Sequence, residues 1–143
     1  MSVPDAPEAR TLVIHVDGGA RGNPGPAAIG VVVSDVDGNV IHEAAEPIGV
    51  ATNNVAEYRA LLRGIELAVA LGATELQVVN DSELVARQLT GAYRVKHPAM
   101  KPLHQQAIAA LAPLHGRWRI RSVPRAQNAR ADALVNRALD SRG

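Results

Sequence analysis

Four acidic residues stand out by where they fall along the chain. Asp17 follows the apolar run Thr11–Val16, and Asp81 follows the run Glu75–Asn80. Glu57 and Asp132 each sit beside the apolar stripe near the start of a helical pattern. Carboxylates gathered in one place repel one another, and hard divalent cations with oxygen ligands relieve that repulsion. Two such ions a few ångströms apart activate a water and stabilise the leaving oxygen in phosphodiester cleavage. Each residue also has a plain structural reading. An aspartate before Gly-Gly opens a turn, a first-turn glutamate suits the helix dipole, and Asp81 is placed to cap the helix that follows it. Spacing alone leaves their convergence open.

The elements that must position them are legible in order. Thr11–Val16 is short and rich in β-branched residues, so it reads as a strand, with Asp17 at its carboxyl end. Gly18, Gly19, Gly22, Pro24, Gly25 and Pro26 turn the chain into a second strand over Ile29–Val33, and Asp37-Gly38 turns it into a third over Val40–Glu46. The glycines fit neither a G-x-G-x-x-G helix opening nor a G-K-[ST] phosphate loop. Thr52, Asn53 and Asn54 offer caps to a helix whose Tyr58, Leu61, Leu62, Ile65, Ala68 and Val69 keep helical spacing until Gly72. A fourth strand, Glu75–Asn80, is followed by a short helix through Leu89, a loop over Gly91–Pro98 and a third helix over Met100–Leu114. Arg117–Val123 alternates with period two and predicts the fifth strand. Pro124–Gln127 is then a turn, and Ala131, Leu134, Val135, Ala138 and Leu139 mark the last helix. The order β-β-β-α-β-α-α-β-α predicts a mixed sheet covered by helices. One domain over residues 11–140 is expected, with a flexible leader over 1–10 and a tail over 141–143.

Composition narrows the functional classes. With 143 residues, 47% of them hydrophobic, the chain can build a real core. The only aromatic residues are Trp118, Tyr58 and Tyr93, which leaves little for the base-stacking platforms of single-strand readers. The absence of cysteine removes disulfides, thiolate metal sites and cysteine nucleophiles. No stretch reads as a signal peptide or a membrane span, so a cytoplasmic protein is expected. Net charge is only +1, yet it is unevenly placed: residues 1–60 hold three arginines against eight carboxylates, and residues 117–143 hold seven against two. An acidic centre with basic ground elsewhere suits an enzyme that collects cations and grips an anionic polymer. Arg117, Arg119 and Arg121 read equally well as the solvent face of the fifth strand.

The segments VDGGARGNPGPAAIGVVV, TNNVAEYRALLRGIELA, VVNDSELVARQL and NARADALVNRAL, each with its acidic residue, together resemble the type 1 ribonuclease H family from about Thr11 to Leu139. The resemblance implies a ribonuclease H-like α/β fold, a five-stranded mixed sheet with helices on both faces. It further implies that Asp17, Glu57, Asp81 and Asp132 are catalytic and bind Mg2+, with Mn2+ as the alternative, two ions per site with substrate. The substrate would be the RNA strand of an RNA-DNA hybrid, cut to leave a 5'-phosphate and a 3'-hydroxyl. Gly18, Gly19, Asn23, Asn53 and Asn54 would meet sugars, bases and 2'-hydroxyls in the minor groove, and Thr52 would belong to a DNA-phosphate pocket. Arg125 and Asn128 complete the expected substrate contacts.

Two features depart from the family. The loop before the last helix, Pro124-Arg125-Ala126-Gln127, lacks the histidine that many members carry. Arg125 stands nearest, and its fixed charge cannot shuttle protons at neutral pH. The basic protrusion of better known members is reduced to Arg94, Lys96, His97 and Lys101. Two other readings accompany the enzyme: a non-catalytic module of the same fold that docks on nucleic acid, which loss of a carboxylate would favour, and a related nuclease for another duplex.

Overall fold

The computed structural model describes residues 8–141, so most of the expected leader, residues 1–7, and residues 142 and 143 of the expected tail lie outside the described residues. The elements run β1 (Thr11–Ala20), β2 (Gly25–Ser34), β3 (Val40–Ala51), α1 (Asn53–Ala70), β4 (Glu75–Asn80), α2 (Glu83–Leu89), α3 (Lys101–Leu111), β5 (Trp118–Ser122) and α4 (Ala129–Asp140). Short 3-10 turns follow α3 at Ala112–Leu114 and precede α4 at Arg125–Asn128. The five strands form one sheet in the order β3-β2-β1-β4-β5. The first three are antiparallel neighbours, and β4 and β5 join parallel to β1. The expected mixed sheet is therefore present.

Hydrophobic burial divides the sheet into two faces. Leu12, Ile14, Val16, Ile29, Val31, Leu76 and Val78 point toward α1, α2 and α3 and pack with Tyr58, Leu61, Ile65, Leu89 and Leu111. On the opposite face Ala131, Leu134, Val135, Ala138 and Leu139 of α4 close over Ala28, Val32 and Ala45. Period-two burial in the strands and period-3.6 burial in the helices thus do what the sequence pattern requires. Among the described residues, no helix is long and apolar enough to cross a membrane.

The first hairpin is longer than the apolar runs suggest. β1 does not stop at Val16: Asp17, Gly18, Gly19 and Ala20 pair with Gly30, Ile29, Ala28 and Ala27. Asp17 is therefore an interior strand residue, and the turn begins only after Ala20. Glycine carries no apolar signal but accepts extended backbone, so the run of glycines hides the ladder from a hydrophobicity reading. β3 likewise continues past Glu46 to Ala51, with irregular register against β2. Arg10, the last residue of the expected leader, donates from its backbone N–H to Thr74 Oγ1 at 2.7 Å and from Nη1 to Leu71 O at 2.9 Å.

Candidate active site

The parallel ladder between β1 and β4 ends at the His15–Val79 pair, and β4 itself stops at Asn80. From Asp17 onward β1 has β2 on one side and no strand on the other. This step in the sheet lets side chains from both faces meet. Asp17, cross-paired with Gly30, lies on the α4 face. Glu57 arrives from α1 on the other face, and Asp81 hangs from the end of β4.

Two glycines make the approach close enough. A Cβ on Gly18 would lie 2.1 Å from Ala56 O and 2.6 Å from the Glu57 backbone nitrogen, so only glycine lets α1 bring Glu57 against β1. A Cβ on Gly30 would lie 2.3 Å from Ala131 O, beside Asp132 on α4. Gly30 escaped the sequence reading. Its signal is a lone glycine inside the run AAIGVVV, a position that marks the close approach of another backbone.

One carboxylate oxygen from each of Asp17, Glu57 and Asp81 lies within 4.8 Å of the other two. The structure brings these three together, whereas Asp132 stands a step outside that triangle, on the Asp17 side. Asp17 is 2% exposed. Burial, then the Asp81 charge and the neighbouring Asp132 carboxylate, push its pKa up to about 8. Burial and the charges of Asp17 and Asp81 push Glu57 up to about 9. Asp81 is also raised by burial, with the Arg125 charge opposing the rise. Arg125 Nε lies 3.7 Å from Asp132 Oδ1 and 4.0 Å from Asp81 Oδ2. All donors are carboxylate oxygens, Asp17 is buried and the others partly so, and together they need positive charge to ionise, which is the donor chemistry that suits a hard divalent cation.

The local structural readings also resolve. Asp81 does not cap α2, because Ser82 Oγ accepts from Val85 N–H. Glu57 is not in the first turn of α1 but is its fifth residue, and the first turn of that helix holds no acidic residue. A helix-dipole role therefore falls away for Glu57, and Asp81 is left free of capping. Asp132 does lie in the first turn of α4.

The expected substrate contacts fall into three groups. Thr52 is the α1 N-cap, accepting from Val55 N–H at 3.2 Å. Asn23 Oδ1 accepts from Asn53 N–H at 3.0 Å, and Asn53 Oδ1 accepts from Ala20 N–H at 2.9 Å, which stitches the glycine turn to the start of α1. Asn54 is exposed beside them, and Gly19 borders the same turn, where an added Cβ would come to van der Waals contact with Val135 at 3.6 Å. Gly18 faces α1. Asn128 is different: it is 1% exposed and donates from Nδ2 to Val16 O at 2.9 Å. Through that bond it anchors the segment carrying Arg125 and Asp132 to β1, while its Oδ1, also buried, has no hydrogen-bond partner among the described residues. Gln88 was missed from sequence. It accepts a short hydrogen bond from the Tyr58 hydroxyl and so ties α2, just after Asp81, to α1 just after Glu57.

A five-stranded mixed sheet with carboxylates gathered where its central strand outruns its parallel neighbour defines a ribonuclease H-like domain. Residues 15–138 match the family described as "Reverse transcriptase-like". The chain belongs to the type 1 ribonuclease H family. It is 51% identical over 131 residues to the bifunctional protein Rv2228c of Mycobacterium tuberculosis, covering 91% of this chain and 36% of that protein. The chain thus spans about a third of the length of that relative. The RNase H1 of the archaeon Halobacterium salinarum has a solved structure that superposes with a TM-score of 0.88 at 44% identity, covering 92% of this chain and 98% of that one. LC11-RNase H1, from a compost metagenome, superposes at 0.87 with 45% identity over 91% and 97% of the two chains, in a structure that contains an RNA/DNA hybrid.

Proposed function

We propose that the chain is an endoribonuclease that hydrolyses the RNA strand of RNA-DNA hybrids and leaves 5'-phosphate and 3'-hydroxyl ends. Asp17, Glu57, Asp81 and Asp132 are its metal-holding carboxylates. The observation that carries this reading is the meeting of Asp17, Glu57 and Asp81 oxygens within 4.8 Å at the step in the sheet. Bound Mg2+ or Mn2+, two ions with substrate, supplies Lewis-acid stabilisation of phosphate oxygens and a nucleophilic water at neutral pH.

The chain's own residues prepare and complete that site. Asp17 and Glu57, with values of about 8 and 9 when no cation is present, give up their protons in exchange for positive charge. Asp132, beside Asp17 and more open to solvent, adds a carboxylate on the α4 side. Arg125 reaches the same edge and offsets negative charge there, as a scissile phosphate requires. The turn at Asn23, stitched to Asn53 and flanked by Thr52 and Asn54, supplies polar groups suited to a shallow minor groove lined with 2'-hydroxyls. Support for a hybrid substrate comes from the LC11-RNase H1 complex.

The test is cleavage of end-labelled RNA-DNA hybrid in Mg2+, Mn2+ or chelator, beside duplex RNA, duplex DNA and single-stranded RNA. Metal-dependent cutting of the hybrid's RNA strand alone is expected. Asp17→Asn should reduce it by more than about a hundredfold, since even groups that only support a metal ligand cost roughly 10 to 100-fold. Hybrid binding without cutting in either metal would overturn the enzyme and leave a binding module.

A further inference from the structure

Helix α4 covers only part of its face of the sheet, touching β2, β1 and β3. The β4–β5 half of that face carries Gln77, Arg119 and Arg121 around a shallow groove of about 320 Å³. The facing is fixed by register. Trp118 and Ile120 pack into the core on the other side, Arg121 pairs with Val79, Val79 pairs with His15, and His15 lies two residues before Asp17. The two arginines therefore share a face with Asp17.

Both side chains are exposed. Arg21, Arg63, Arg87 and Arg130 are each engaged by a carboxylate, but Arg119 and Arg121 have no such partner among the described residues. Residues two apart on a strand stand about 6.7 Å apart, on the order of the separation of successive phosphates in an extended single strand. No aromatic side chain lies on this face to stack a base, so the chemistry offered is recognition of the backbone alone, by guanidinium forks that suit phosphate oxygens. From Arg121 the chain runs through Ser122–Pro124 to Arg125 at the carboxylates, so the three arginines lie along one path out of the site. A stiff duplex seated at the strand ends cannot also bend over the sheet edge onto this face. A single strand can.

We propose that Arg119 and Arg121 form an accessory rail that holds the phosphates of single-stranded RNA where it leaves the hybrid beside the carboxylate cluster. This rests on the hybrid-cleaving reading above, and the test separates the two. Fluorescence anisotropy in chelator would compare a blunt RNA-DNA hybrid with hybrids carrying a short RNA overhang at either end. One overhang should tighten wild-type binding by about three- to tenfold. With two phosphates neutralised, it should also steepen the fall of log affinity with log salt by about 1.4. The double variant Arg119→Gln/Arg121→Gln should lose both effects while binding blunt hybrid as wild type does, and Arg119→Lys/Arg121→Lys should keep most of the salt response. Blunt hybrid bound with no gain from either overhang, or a gain that survives in the glutamine variant, sinks the rail alone. Failure to bind any hybrid brings down both readings.

Discussion

Asp17 is approached from both faces of the sheet by a helix whose backbone occupies the space a side chain would need. The two junctions are nearly alike in geometry. A Cβ on Gly18 would meet Ala56 O at 2.1 Å, and one on Gly30 would meet Ala131 O at 2.3 Å. They differ in what stands behind them. Behind Gly18, Tyr58, Ala60, Leu61, Ile65 and Ala68 of α1 are all fully buried, and Gly64 makes a second close contact against Val16 and Ile14. Behind Gly30, α4 rests on a thin layer of Ala28, Val32 and Ala45. The Glu57 carboxylate is consequently held partly buried, where lost solvation raises its pKa, whereas the Asp132 side chain is 29% exposed and within reach of Arg125. One junction fixes a carboxyl group that burial keeps protonated, and the other leaves an adjustable charge at the rim.

The sharpest way to break that comparison is to add the missing methyl at each junction. Gly18→Ala forces backbone against backbone in a helix locked into the main core, and overpacking of that kind costs roughly 1–3 kcal/mol or somewhat more. Gly30→Ala makes a similar clash, but α4 can ride outward over its thin layer, so a cost of about 1 kcal/mol is expected there. Denaturant unfolding reads both. Activity should reverse the ranking relative to stability, with Gly30→Ala losing more turnover per kcal/mol because outward movement of α4 carries Asp132 from Asp17. Equal stability losses would show that the two junctions are equally rigid.

Next in size is the response of stability to pH without metal. The folded-state values of Asp17 and Glu57, about 8 and about 9, lie above their ordinary values of 3.8 and 4.5. The folded state therefore keeps protons that the unfolded state releases. This contribution to stability is full below the ordinary values and is lost as pH rises through them toward 8 and 9. Melting in chelator should drop by several degrees from pH 5 to pH 9. Mg2+ or Mn2+ should restore most at the alkaline end, and Asp17→Asn should flatten the chelator profile. A melting temperature that rises over that range would refute the burial of these charges.

How much of this was legible before the fold depended on whether a residue's role lies in its own pattern or in a neighbour's. The strand Glu75–Asn80 and the α1 stripe announce themselves by period, and both match the structure. Asp17–Ala20 was lost to the ladder because glycine leaves no hydrophobic trace, and Gly30 because its meaning lies in a helix a hundred residues on. Asn128 is expected among the substrate contacts, and the structure adds what the segment could not show, its enclosure against the Val16 carbonyl. Burial of a polar residue is a tertiary property, and nothing in the segment RAQNARAD encodes it. The capping at Thr52 was readable because a cap is local.

The smallest expected effect belongs to Arg125, and it tests the rim directly. Its side chain is 77% exposed, so Arg125→Ala should leave stability within about 0.5 kcal/mol. Its charge nevertheless opposes the rise of Asp17 and Asp81, so removing it should make those carboxylates ionise at higher pH. The rate of hybrid cleavage should then fall about two- to tenfold at neutral pH and recover partly as pH rises, because exposed ion pairs are worth only about 0.2–1 kcal/mol each. A guanidinium keeps its charge throughout this range, so the wild-type profile should contain no limb from this loop. Arg125→His should introduce one near pH 6.5, where an imidazole changes charge. An Arg125→Ala chain with unaltered rate, salt dependence and pH profile would remove the loop from the chemistry and leave Asp132 as the adjustable charge beside Asp17 at that rim.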